Sequence, residues 1–260
     1  MHPLEHKIRS ARQAGRQAVI PFITAGFPRP DSFWKHVDEI DQAGADIIEI
    51  GIPFSDPVAD GPVVEEASRR ALTAGITLAD ILDELRMRKG RYRAGIVLMG
   101  YYNPFLQFGL KELARAAAEA GVHGFIIPDL PLDEAEAARE ALQGHNLALI
   151  PLVGPNTSLE RMRLYSRQAK GYAYVVSVMG ITGARESLAP KVAETVRRAR
   201  QAFEVPLALG FGLSHPAQLE ALPEDTRPDA AVMGSALLRH IDAGGSAREF
   251  LASWLGAHDA

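Results

Sequence analysis

Eight short β-rich runs recur along this chain, each followed by a segment of helical composition. They occupy residues 18–24, 46–52, 95–99, 124–128, 147–153, 172–178, 206–211 and 230–233. Several intervening segments have recognisable helix starts. Asp31 precedes 32–43, Thr77 precedes 78–88, and Thr157 with Glu160 forms a capping-box pattern ahead of 161–170. Ser214, with Pro216 in the first turn, opens 217–221. Segments 112–120 and 134–142 are rich in good helix formers, and Gly121 and Gly144 stand where C-terminal caps belong. Strand–helix alternation of this kind builds a parallel sheet. With eight units, the economical α/β fold is a closed (β/α)8 TIM barrel spanning 1–260 as a single domain. It would carry an extra N-terminal helix and a short phosphate-binding helix after the eighth strand. A doubly wound open sheet is the alternative, but no Gly-x-Gly-x-x-Gly follows the first strand.

Composition narrows the function classes. The 260 residues are 47% hydrophobic and 23% charged, an ordinary balance for a packed domain of this length. A net charge of −4 offers no electrostatic reason for nucleic acid or an anionic membrane as partner. The absence of cysteine excludes disulfides, thiolate metal sites and a cysteine nucleophile. No apolar run reaches the length of a membrane span, and residues 2–17 lack a signal-type apolar core, so a cytoplasmic enzyme is expected.

The second run carries the chemistry. Ile48, Ile50 and Ile52 alternate with Ile47, Glu49 and Gly51, so the two trios face opposite sides of the strand. If the Ile48 trio packs on a covering helix, Glu49 points into the barrel. A carboxylate there is desolvated, and its pKa rises toward the range useful for proton transfer. A glutamate held by a buried hydrogen bond is the plainer alternative; its place at a strand end beside a Pro- and Gly-rich loop favours catalysis. That loop also carries Asp56 and Asp60.

Barrel chemistry gathers at the C-terminal ends of the strands. Glycines cluster there late in the chain, at Gly180 and Gly183, Gly210 and Gly212, and Gly234. The segment 235–240 reads as a short helix whose free N–H groups would face an anion, and glycine allows close backbone approach. The loop 178–190, with Arg185 and Glu186, is either a plain surface loop or a lid, and its length and glycine hinges favour the lid slightly. The six lysines, at 7, 35, 89, 111, 170 and 191, lie on helices or at the wrong ends of strands for a Schiff base. His215 alone among the histidines follows a strand's C-terminal end, so metal ligation is not expected. Carboxylate acid/base chemistry on a phosphorylated small molecule remains.

The run Glu49-Ile-Gly-Ile-Pro-Phe-Ser-Asp-Pro-Val-Ala-Asp-Gly61 resembles the signature of the tryptophan synthase alpha subunit family. The likeness covers nearly the whole chain, through 21–26, 128–131, 177–183, 210–212 and 234–236, and departs at 222–229. The resemblance implies retro-aldol cleavage of indole-3-glycerol phosphate to indole and glyceraldehyde 3-phosphate. It implies Glu49 as general acid/base and Asp60 as partner of the indole N–H. Phe22, Leu98, Ile126 and Tyr174 would wall the indole slot; for Leu98 and Ile126, ordinary core is the stronger reading of the residues alone. Gly183, Gly212, Gly234 and Ser235 would cradle the phosphate, with Phe211 lending a backbone N–H and Thr182 closing onto Asp60. It further implies a beta subunit in an alpha2-beta2 assembly, near Pro53, Asp56, Pro57, Asn103, Asp129 and Pro131. Pyridoxal phosphate would belong to that partner, with no cofactor in this chain. The rivals are a sugar-phosphate isomerase or epimerase, which leaves the Glu49/Asp60 loop unexplained, and a non-catalytic partner subunit, which leaves both carboxylates idle.

Overall fold

A computed structural model of the chain describes residues 1–176, 188–210 and 212–256, the side chains of 188 and 189 excepted. Its strands are β1 Ala18–Thr24, β2 Ile47–Gly51, β3 Gly95–Met99, β4 Gly124–Ile126, β5 Ala148–Leu149, β6 Leu152–Val153, β7 Ala173–Val176, β8 Leu207–Gly210 and β9 Ala230–Met233. All pair in parallel, in the order β5-β4-β3-β2-β1-β9-β8-β7-β6.

The two ends of that order are halves of one stave. Ile150 N–H donates to the Phe125 carbonyl at 2.9 Å on one side. The Pro151 carbonyl accepts from Tyr174 N–H at 2.9 Å on the other. The sheet therefore closes through residues 148–153 into the eight-staved barrel expected from the alternation. Pro151 has no N–H to give the ladder, and the continuous fifth strand read from the sequence is split there.

The helices are α1 Pro3–Gln13, α2 Pro30–Ala43, α3 Pro62–Thr73, α4 Leu78–Met87, α5 Tyr102–Phe108, α6 Leu110–Glu119, α7 Glu136–Leu142, α8 Leu159–Ser166, α9 Leu188–Ala202, α10 Ala217–Glu220, α11 Ser235–Asp242 and α12 Ala247–Leu255. None among the described residues is long and apolar enough to cross a membrane. Thr77 opens α4 as expected, in a reciprocal box with Asp80. Three expected starts are displaced. Pro30 takes the first position of α2, so Asp31 lies inside its first turn. Ser158, not Thr157, caps α8 by accepting from Arg161 N–H, while Thr157 turns back to Gly154 N–H. At α10 the Gln218 side chain takes the N–H groups of Ser214 and His215, and the helix runs only four residues.

Two layers of side chains follow from the register. Partners across a parallel ladder point to the same face. Phe22, Glu49, Val97 and Gly124 lie on one such line, and Thr24, Gly51, Met99 and Ile126 on another. Both lines face the barrel interior. Ile50, Leu98 and Phe125 share the outer face, where Phe125 packs edge-on against Phe105 of α5 at 5.4 Å between ring centroids. The Ile48, Ile50 and Ile52 trio is buried on this helix-facing side, as expected. Burying such side chains contributes about 1.5–3 kcal/mol each, which sets the strand faces firmly.

Candidate active site

Glu49 is fully buried in the middle of β2. Its Oε1 accepts a hydrogen bond from the Tyr172 hydroxyl at 2.7 Å. Tyr172 immediately precedes β7, which lies four staves from β2 around the barrel, so this bond crosses the interior. Glu49 Oε2 and Thr24 Oγ1 are buried and have no hydrogen-bond partner among the described residues. Desolvation pushes the Glu49 carboxyl up to about 8, against a smaller downward pull from the Tyr172 hydroxyl. The acid is thus predominantly protonated at neutral pH.

Asp60 reaches the site from the loop after β2. That loop is tightly turned: Val58 N–H donates to the Asp56 carbonyl and Asp60 N–H to the Pro57 carbonyl, both at 2.9 Å. Gly61 and Pro62 then start α3. Tyr101, buried just past β3, accepts the Ala59 N–H at 2.9 Å and stacks on Phe54 at 5.1 Å. Burial raises the Asp60 carboxyl to about 6; a hydrogen bond from Tyr101 opposes this, and the Glu65 charge adds to it. The two carboxyls are therefore pushed to different heights, so that around pH 7 one keeps its proton while the other is largely ionised.

Other side chains and glycines line the interior around Glu49. A Cβ on Gly51 would meet the Phe22 ring at 2.5 Å, and one on Gly234 would meet it at 3.1 Å. Phe22 therefore lies over two glycine backbones, bridging the carboxylate strand to the start of α11. A Cβ on Gly210 would strike the Tyr174 hydroxyl, so that ring too needs a bare backbone beside it. Tyr174 is buried and within electrostatic range of both Glu49 and Asp60. Ile126 faces inward as expected. Leu98 does not: it shares the outer face with Ile50 and Phe125, and the inward residue of that strand end is Met99.

Gly234 caps α11 without a side-chain hydrogen bond, and Ser235 beside it is half-buried. The first-turn N–H groups of this helix carry the positive end of its dipole. Gly212 has φ of +92°, a conformation that favours glycine, with open space where a Cβ would stand. Thr182, Gly183, Phe211 and most of the lid segment 178–190 lie outside the described residues.

Of the expected partner-facing residues, Asp56, Asn103, Asp129 and Pro131 are exposed and Pro57 is half-buried, but Pro53 is buried within the chain. Asp129 accepts from Tyr102 N–H at 2.8 Å, tying the loop after β4 to the start of α5. Val58, 87% exposed, and Leu106, 50% exposed, add apolar surface on the loop after β2 and on α5.

Tyr172 and Tyr101 are the site residues that sequence reasoning passed over. Tyr172 stands two positions before Tyr174 and so shares its face, a signal the alternation rule contains. Tyr101 follows the last residues of an inward-facing strand end, but nothing local marks its bond to Ala59.

The family model described as "Tryptophan synthase alpha chain" matches residues 8–254. The tryptophan synthase alpha chain of Desulfovibrio desulfuricans is 64% identical, over 98% of this chain and 100% of its own length. That of Nitratidesulfovibrio vulgaris is 59% identical, over 96% of this chain and 97% of its own. Among solved structures, tryptophan synthase subunit alpha from Legionella pneumophila superposes with a TM-score of 0.84 at 32% identity, covering 98% of this chain and 96% of its own. A chain of Mycobacterium tuberculosis tryptophan synthase gives 0.87 at 31% identity, covering 98% and 99%. The barrel, the carboxylate pair and these likenesses converge: the chain belongs to the tryptophan synthase alpha chain family.

Proposed function

We propose that Glu49 and Asp60 carry the retro-aldol cleavage of indole-3-glycerol phosphate to indole and glyceraldehyde 3-phosphate at the C-terminal mouth of this barrel. The observation that carries this is a fully buried carboxyl on the interior face of β2, Glu49, bonded to Tyr172 across the barrel at 2.7 Å, with a second carboxyl, Asp60, on the loop that follows the same strand. Burial pushes the two to different heights. Protonated Glu49 gives its proton to indole C3, and the ring becomes a cation whose N–H faces ionised Asp60. The bond from C3 to the glycerol carbon then breaks. Its electron pair returns to the ring, the side-chain hydroxyl becomes the aldehyde oxygen, and Glu49 takes up the hydroxyl proton. Protons and charge balance, and the acid is restored for the next turnover.

Phe22, Met99, Ile126 and Tyr174 are the slot for the indole ring, with Met99 in the place assigned to Leu98 from sequence. Gly212, Gly234, Ser235 and the first turn of α11 hold the phosphate, together with Gly183 and the Phe211 N–H. Thr182 closes onto Asp60 and excludes water from the cleavage step. Residues 1–260 act as one domain, in the cytoplasm. The partner is the beta subunit, which holds pyridoxal phosphate; Asp56, Pro57, Asn103, Asp129 and Pro131 face it, with Val58 and Leu106 supplying apolar contact. The indole passes to that subunit.

Release of indole from indole-3-glycerol phosphate, followed spectrophotometrically, tests the assignment against the dephosphorylated substrate. Indole should form from the phosphate ester, with kcat/KM at least about a hundredfold lower for the free glycerol, since remote binding energy is used in the transition state. Release of no indole from the ester would refute the reading.

A further inference from the structure

We propose that Leu4, on the N-terminal helix at the opposite end of the barrel, is a positioning residue for Glu49: it seats the Gly171–Tyr172 segment and thereby places the Tyr172 hydroxyl against the carboxyl. This rests on the reading of Glu49 as the acid/base.

The path is short and made of close contacts. Leu4 is fully buried in the N-terminal mouth. A Cβ on Gly95, the first residue of β3, would meet Leu4 Cδ2 at 2.6 Å, and one on Gly171 would meet Leu4 Cδ1 at 3.2 Å. Leu4 thus fills the space between two staves from opposite parts of the sheet, against backbone stripped of side chains. Gly171, at φ +79°, is also held to a left-handed conformation. The next residue is Tyr172, fully buried, whose hydroxyl meets Glu49 Oε1 at 2.7 Å. A shift at Gly171 is therefore passed directly to the tyrosine ring.

The helix carrying Leu4 is anchored all round the barrel floor. His2 Nδ1 accepts Leu4 N–H, and His2 Nε2 lies 3.0 Å from the Asn146 carbonyl. Lys7 donates to the Arg93 carbonyl, and Arg9 to the Glu204 carbonyl at 2.7 Å. Arg12 lies 3.7 Å from Asp229. These contacts reach the entries of β3, β5, β8 and β9, so Leu4 is held rigidly relative to the strands. Ile8 on the same helix is equally buried and borders the segment 203–206 before β8, and it is not among the three atoms nearest a Cβ at Gly171, which come from Leu4 and His2. It is the natural control.

The test compares full-length variants by kcat, KM, melting temperature and the pH profile of kcat/KM for indole release. Among the described residues the titratable groups facing Glu49 are Tyr172 and Tyr174, both held far above the working range by burial, so an alkaline limb near 8 reports Glu49. Tyr172→Phe removes a hydrogen bond that lowers the Glu49 pKa and should move that limb upward. Leu4→Ala should move it the same way by about half a pH unit, lower kcat about three- to tenfold, and leave KM within about twofold. Leu4→Met, which keeps the volume, should restore both. Ile8→Ala should lower the melting temperature without moving the limb, and Leu4→Ala should add no shift in the Tyr172→Phe background. The proposal is overturned if Leu4→Ala and Ile8→Ala both lose stability while keeping the wild-type limb. If Tyr172→Phe itself leaves the limb in place, both the proposal and the titration assigned to Glu49 fall.

Discussion

Tyr101 accepts the Ala59 N–H at 2.9 Å, so the loop that presents Asp60 is held by a residue of a neighbouring stave. The same phenol bonds the Asp60 carboxyl, and its ring stacks on Phe54. One side chain thereby fixes both the path of the loop and the charge at its end.

Tyr101→Phe keeps the stack but removes both hydrogen bonds. Loss of the bond to Asp60 raises that carboxyl above about 6, so the acidic limb of kcat/KM should move to higher pH. A looser loop should also cost about tenfold in kcat, because positioning of the stabilising carboxylate is lost. Steady-state kinetics over pH 5–9 measures both effects. An unchanged acidic limb would show that Tyr101 acts on Asp60 by packing alone.

The wild-type profile itself should be bell-shaped. The proposed mechanism needs Asp60 ionised to face the cationic ring, so it predicts that activity falls as pH drops through about 6. The same mechanism needs Glu49 protonated to donate to C3, so it predicts that activity falls as pH rises through about 8. Asp60→Asn should remove the acidic limb along with most of the rate.

Much of this arrangement is legible in the sequence, because it depends on local periodicity. Alternation along 47–52 placed Glu49 inside and the isoleucine trio outside, and the strand–helix repeat implied a barrel. What failed depended on register between distant segments. Leu98 and Met99 are both apolar strand residues, and only pairing with Ile50 and Gly51 decides which one faces the cavity. The Tyr172 bond to Glu49 spans 123 positions and exists only once the barrel closes. Thr157 and Ser158 are both good caps, and the choice fell to the one whose oxygen reaches Arg161 N–H.

Burial of Glu49 also makes stability fall with pH. Its pKa is raised from 4.5 in the unfolded chain to about 8 in the fold, so the folded state binds more protons between those values. By linkage, stability is undiminished below about 4.5, declines as pH rises toward 8, and is lowest above it. Glu49→Gln escapes this cost. The variant should melt higher than wild type at pH 8, by a margin worth on the order of a few kcal/mol, and the two should converge near pH 5. Calorimetry across that window measures it; parallel curves would mean that Glu49 is not desolvated.

Asp56 is exposed on the loop that leads to Asp60, with Ser55 bonded to its carboxylate. Asp56→Ala should reduce stimulation of indole release by added beta subunit about tenfold while leaving the slow reaction of the isolated chain within twofold. Equal losses in both assays would place Asp56 in the catalytic machinery instead.

The central claim is that the buried acid at Glu49 delivers the proton to indole C3. The most direct measurement is indole release by Glu49→Gln beside wild type at pH 7, after calorimetry has established that the variant is folded. The account predicts a fall in kcat of at least about a hundredfold, with KM changed little, because glutamine keeps the shape and loses the transferable proton. Release of indole at the wild-type rate would contradict it.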